Sequence, residues 1–121
     1  MMTRTFLAAA AGLIAAYASS SFGQATVKDG VFTNSAGMTL YTFHKDSSGK
    51  SVCNGTCATN WPPLMAAATD KASGDWSAIK RDDGSLQWAY KGKPVYLWAK
   101  DQKPGDKTGD GVGGNWVVAK P

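Results

Sequence analysis

The chain opens on an unbroken apolar run, Phe6 to Tyr17, preceded by Arg4 and followed by small residues from Ala18 to Gly23. The run is too short for a membrane-spanning helix, which needs about 20 apolar residues. A basic start, an apolar core and a small-residue end read as a secretory signal peptide over residues 1–23, cut near Gly23-Gln24. Beyond it the pattern changes to short alternating segments punctuated by Gly, Pro, Asp and Asn. Tyr41 and Phe43 stand two apart and so share one side of a strand, as do Tyr96 and Trp98. Trp76 to Arg81 and Ser85 to Tyr90 predict two strands joined by the turn Asp82-Asp83-Gly84. In the second, Leu86, Trp88 and Tyr90 fall on one face. Lys91-Gly92-Lys93 then turns the chain into a strand over Pro94 to Trp98. Val31 and Phe32 predict a first strand, and Asn115 to Ala119 a last one. Pro62-Pro63 bars a helix starting at Trp61, while Leu64 to Ala68 predict a single helical turn.

The pattern also repeats. Gly37, Tyr41, Lys45 and Asp46 recur without a gap at Gly92, Tyr96, Lys100 and Asp101, and the same offset carries Asn60-Trp61 onto Asn115-Trp116. Leu40/Val95 and Phe43/Trp98 are conservative matches at that offset. Residues 24–121 therefore read as one domain of two repeats, with motifs at 37–61 and 92–116. Units this small cannot bury an apolar face alone and must pack on each other. Asp46 and Asp101 fall where each strand should end, placed to accept backbone N–H groups of the next turn or a tyrosine hydroxyl. The expected fold is all-β, a small barrel or sandwich of two pseudo-symmetric repeats with long Gly/Pro-rich loops.

Composition supports this and narrows function. Of 121 residues 14 are Gly and 5 are Trp, and all the acidic residues are Asp, which suits turns and aromatic strands better than helices. The formal charge of +4 comes from lysines interleaved with aspartates, the mark of a solvated surface rather than of a nucleic-acid partner. No Cys stands near the cleavage site, so the mature chain is not lipidated, and it contains no transmembrane segment. In an oxidising compartment Cys53 and Cys57, enclosing Asn-Gly-Thr, read as a disulfide that pins a loop.

The motifs Tyr41-x-Phe43-x-x-Asp46 and Tyr96-x-Trp98-x-x-Asp101 resemble those of a bacterial secreted-repeat family, some of whose members are predicted lipoproteins. The segments Cys53 to Pro63, Gln87 to Pro94 and Gly105 to Gly114 are similar to that family as well. The resemblance implies an exported envelope protein, and it supplies no catalytic residues.

Candidate chemistry is sparse. His44, the single histidine, could join Cys53 and Cys57, with Met38 and Met65, in a soft-metal site for copper. Against this, His44 falls on Ala99 in the second copy and precedes a turn. Asp106 to Gly111 resembles the start of a calcium loop, but Val117 stands where a Glu is required, so it reads as a Gly-rich structural loop. Ser47 and Ser48 near His44 do not make a triad by adjacency alone. The many tryptophans and tyrosines either pack the two halves together or present a platform for glycan or peptide; packing is the favoured reading. The function expected is that of an exported, non-enzymatic cell-envelope domain, a binding or structural module without cofactor. Its partner, an envelope component or an extracellular ligand, is left open. The alternative is a periplasmic copper-binding or thiol-redox protein built on His44, Cys53 and Cys57.

Overall fold

A computed structural model describes residues 25–121; the signal peptide expected over residues 1–23 and its expected cleavage site lie outside these residues. The fold is all-β and sandwich-like. Among the described residues seven short strands form: β1 (Thr26–Lys28), β2 (Val31–Thr33), β3 (Tyr41–Phe43), β4 (Trp76–Lys80), β5 (Leu86–Tyr90), β6 (Lys93–Tyr96) and β7 (Trp116–Val118). β1 and β2 make a hairpin, and the other five form an antiparallel sheet in the order β4-β5-β6-β3-β7. β4 and β7 are its two edges, so the sheet does not close into a barrel.

The predicted β4-β5 hairpin forms as the Asp-Asp-Gly turn dictates, with Ser85 N–H and Oγ both donating to Asp83 Oδ1. Lys91-Gly92 links β5 to β6 with both residues at positive φ (50° and 82°), the twist a two-residue hairpin needs. β1, which the sequence did not suggest, pairs with β2 through Asp29-Gly30 in the same conformation. A five-residue helix, α1 (Thr56–Asn60), was likewise not expected; it starts at the end of the cysteine loop and runs on past Cys57.

One expectation fails. Leu64 to Ala68 is not a helical turn. The β5-β6 pairing covers only Ala89↔Pro94 and Tyr90↔Lys93, after which the strands diverge. The segment after Pro62-Pro63 fills that gap in extended form. Leu64 N–H donates to the Val95 carbonyl and the Leu64 carbonyl accepts from Trp88, while Ala66 N–H reaches Leu86. An isolated turn pays for nucleation with one hydrogen bond, whereas the gap offers partners on both sides.

Alternation along the strands splits the apolar residues into two clusters. Val31, Tyr41, Tyr96 and Val118 join Trp61, Trp116 and Cys53 in one. Their chain neighbours Phe32, Leu40, Val95 and Ala119 join Trp76 and Trp88 in the other. Period-two geometry puts these on opposite faces of the neighbouring strands β6, β3 and β7.

Candidate functional site

The six motif residues meet on the first of these faces, and they meet by exchange between the copies. β3 and β6 are antiparallel with Tyr41 opposite Tyr96. Tyr41 donates its hydroxyl to Asp101 Oδ2 at 2.7 Å, and Tyr96 donates to Asp46 Oδ2 at 2.5 Å. Each tyrosine thus bonds the aspartate of the other copy. The second oxygens are also taken: Asp46 Oδ1 accepts from Val52 N–H, and Asp101 Oδ1 accepts from the N–H and hydroxyl of Thr108. Burial, reinforced by the neighbouring carboxylate, pushes both phenols well above the ordinary tyrosine range. Burial also raises the Asp46 carboxyl, against the pull of its bonds from Tyr96 and Val52.

The aromatic rings follow the same exchange. Phe43 stacks on Trp116 (centroids 4.2 Å apart), Trp116 on Trp61 (3.7 Å) and Trp61 on Trp98 (3.9 Å). The stack alternates first copy, second copy, first copy, second copy, and the repeat offset maps it onto itself. Tyr41 and Tyr96 meet Trp61 and Trp116 edge-on, at 5.4 and 5.1 Å. The backbone repeats the pattern, since His44 N–H donates to the Asn115 carbonyl and Ala99 N–H to that of Asn60. Even the shared glycines cross over. Gly37 (φ +84°) lies against Pro104, and Gly92 (φ +82°) against Ser48 and Gly49. A positive φ and a close neighbour together account for glycine at both positions.

A polar network that sequence reasoning missed supports the first copy. Arg81 is buried and donates to Ser51 Oγ, Gln87 Oε1, the Cys53 carbonyl and Asn54 Oδ1. Ser51 Oγ is in turn 2.6 Å from the Tyr96 hydroxyl. The guanidinium therefore braces both the tyrosine lock and the cysteine loop, and its charge opposes the burial of Asp46. The available signal was that Arg81 is the sole arginine after residue 23, set among lysines. A guanidinium offers five donors in a rigid fork, which a lysine could not replace here.

Cys53 and Cys57 are joined as a disulfide. Cys53 is fully buried and Cys57 packs half-buried against the tyrosine–tryptophan cluster. His44 is exposed and does not join them. Among the described residues no group of three or more His, Cys, Asp or Glu side chains is placed to hold a metal ion. In the Gly-rich loop, Asp106 accepts from the N–H groups of Gln102 and Lys103, which holds it below the usual carboxylate range, and Asp110 accepts from Val118 N–H. The loop is needed for another reason: a Cβ on Gly109 would sit 2.8 Å from Trp61 and 3.0 Å from Trp98.

The ring stack ends at Phe43 and Trp98, both half-buried. At the Phe43 end lies a cleft of about 320 Å³ walled by Phe43, His44, Ser48, Lys91, Lys93 and Asn115. It adjoins a second depression, of about 340 Å³, that shares Thr42, Lys91, Lys93 and Val117 and continues to Lys120. At the other end Trp98 lines only an open depression, with Lys100 lying 5.8 Å from its ring centre. Among the described residues no helix is long and apolar enough to cross a membrane.

Comparison with known proteins bears on the duplication directly. Residues 23–65 and 77–120 each match a family described as a secreted repeat of unknown function. No curated protein and no solved structure matches the chain. The two matched segments each contain one Tyr-x-aromatic-x-x-Asp motif and together cover most of the sequence, so the chain belongs to this secreted-repeat family and carries two copies of its unit.

Proposed function

We propose that the protein works outside the cytoplasm, in the cell envelope, as a non-catalytic module that binds a ligand in the cleft at the Phe43 end of the ring stack. The observation that carries this reading is the full internal use of the motif. Asp46 and Asp101 have both oxygens bonded, and the tyrosines that bond them hold their protons tightly. Carboxylates and phenols so committed build a rigid frame and have no capacity left for general acid–base work at neutral pH. His44 has no hydroxyl or carboxylate orienting its ring among the described residues, so nucleophile–base–orienter geometry is missing there. The frame instead presents a walled cleft at one end.

The copper or thiol-redox alternative requires Cys53 and Cys57 as accessible thiols. A fully buried sulfur beside a carbonyl clamped by Arg81 favours a structural disulfide over an exchanging one. Intact mass of the exported protein, alkylated with and without reductant, tests this. Two alkylated thiols in the native protein, together with stoichiometric Cu(I) uptake lost in His44→Ala, would overturn the proposal. Binding itself is tested by cosedimentation of the exported protein with an isolated envelope fraction. The wild type should sediment, and a folded Asn115→Ala/His44→Ala variant should remain in solution; equal sedimentation of the two would remove the cleft from the argument.

A further inference from the structure

The cleft has a chemistry that narrows its ligand, an inference that rests on the binding reading above. Its ionisable lining is one-sided. Lys91 and Lys93 stand on the lip with His44 nearby, and both lysines extend into the adjoining depression that reaches Lys120. The one carboxylate in the lining, Asp46, forms no ion pair with either lysine, its oxygens instead accepting from Tyr96 and Val52. The Lys93 ammonium makes no ion pair or hydrogen bond among the described residues, and the Lys91 ammonium contacts only the Tyr90 ring, at 5.4 Å.

Two further observations separate this end from a generic basic surface. Lys91 occupies a left-handed backbone conformation, φ +50°, at the first central position of its hairpin, where Asn, Asp or Gly is the ordinary choice. The equivalent turn at Asp29-Gly30 follows that rule. A lysine held there against backbone preference, at the lip of a cleft, points to use of its charge. The copies also diverge at this point. The fold asks the same of both ends of the stack, yet exposed His44 corresponds to exposed Ala99, and Phe43 with its cleft corresponds to Trp98 with its open depression. What differs between exposed, pseudo-equivalent positions is not required by the shared frame.

We propose that this cleft binds an acidic saccharide. A sugar ring packs its C–H face against Phe43, the end ring of the stack, and its carboxylate is held by Lys91 and Lys93. Asn115 and Ser48 supply amide and hydroxyl groups for the sugar hydroxyls. The run of the two depressions, one after the other, suits an extended chain of several sugars better than a monosaccharide. Aromatic faces combined with a few placed polar groups are the ordinary composition of a small-ligand site, and the lysines add the preference for an anion. An acidic peptide would use the lysines equally but has no need of the ring face.

The test is a titration of the exported, isotopically labelled protein with trigalacturonic acid, its neutral methyl ester and a tri-aspartate peptide, followed by amide chemical shifts. The acid should shift the amides of Phe43, His44, Asn115 and Val117, bind more weakly as salt rises, and bind at least tenfold more tightly than the ester. Lys91→Asn/Lys93→Gln should lower its affinity about tenfold or more while leaving the spectrum of the core unchanged. Phe43→Leu, which keeps an apolar end to the stack, should weaken the acid but not the peptide. Ester binding equal to the acid, in the same cleft, overturns the charge assignment and leaves the binding module standing. Peptide binding as tight as the saccharide overturns the sugar assignment on the same terms. Shifts confined to other surfaces, or no shift with any of the three probes, overturn the acidic-saccharide proposal outright, whereas the envelope cosedimentation judges the module separately.

Discussion

Deleting the Tyr96 hydroxyl should unfold the protein far more readily than its single oxygen suggests, and the way the loss is shared shows how the two copies are joined. In Tyr96→Phe the ring still fills its site, so packing is nearly unchanged. What disappears is the bond to the Asp46 carboxylate and the contact with Ser51 Oγ. A bond to a charged group contributes about 1.5–3 kcal/mol and a neutral one about 1 kcal/mol. Asp46 is also left half-buried with only the Val52 N–H on its carboxylate. The expected loss is about 2–4 kcal/mol, a large part of the stability of a small domain. The informative measurement is a pair of double-mutant cycles read by urea unfolding with tryptophan fluorescence. Tyr96→Phe and Asp46→Asn act on the two ends of one charge-assisted bond, so their cycle should show a coupling of about 1–2 kcal/mol. Tyr41→Phe combined with Asp46→Asn joins two residues of the same motif that share no partner, and these should add to within about 0.5 kcal/mol. Coupling within a motif as large as that between motifs would refute the exchange.

Other changes test other parts of the frame. Reducing the Cys53–Cys57 bond should cost about 2 kcal/mol, because the loop it closes is very short; unfolding with and without reductant gives the value. Gly109→Ala places a methyl 2.8 Å from Trp61 and should destabilise by about 1–3 kcal/mol while disturbing the near-ultraviolet circular dichroism of the stack. Lys91→Asn relieves an unfavourable left-handed lysine and should stabilise by about 1 kcal/mol in thermal unfolding, even as it weakens anion binding. The pH dependence follows from the raised Asp46 carboxyl. The folded state binds that proton more tightly than the unfolded state, so the stability it contributes is greatest below the ordinary carboxylate range and is lost as pH rises through the folded-state value. Relative to Asp46→Asn, the wild type should therefore gain stability as pH falls through that window. The exposed Asp82 and Asp83, held below the ordinary range by Lys50 and Asn54 and by Ser85, act with the opposite sign but equally in both proteins.

The strands around strong local signals were legible because nothing distant competes with them. Asp82-Asp83-Gly84 makes its turn from its own atoms, and the two-residue spacing of Tyr41 and Phe43 needs only a pleat. Leu64 to Ala68 was not legible, since its conformation is chosen by a gap between β5 and β6 that exists only in the assembled sheet. The candidate site divides in the same way. The six motif residues stand out at their fixed offset, but which tyrosine meets which aspartate is a fact of the antiparallel pairing of β3 and β6. Arg81 was passed over because its partners, Ser51, Cys53 and Gln87, are polar groups with no charge pattern to betray them. The cleft was invisible for a related reason, as Lys91 and Asn115 lie far apart in the chain from Phe43.

The exchange also accounts for several of the identities between the two copies. A residue whose partner lies in the other copy is constrained twice, by its own strand and by the facing one. Tyr41, Asp46, Gly37 and Trp61 are all of this kind, and all are identical to their counterparts. Positions outside the crossed contacts are free of the second constraint. Crossing alone does not fix identity, however: Val118 pairs with Tyr41 in a regular strand, whereas Pro63, at the same offset, forms only an isolated bridge to Tyr96, because proline cannot donate to a ladder. His44 and Ala99 differ because their side chains are exposed; only their N–H groups cross to the other copy. A half-chain would retain its own motif residues but complete none of the bonds that cross between copies: two aromatic rings without the interleaved pair, a tyrosine without its acceptor, an aspartate without its tyrosine donor. Duplication here does not add a second domain to the first. It makes one fold out of two segments neither of which has a core, and it leaves the exposed ends of the ring stack free to become different surfaces.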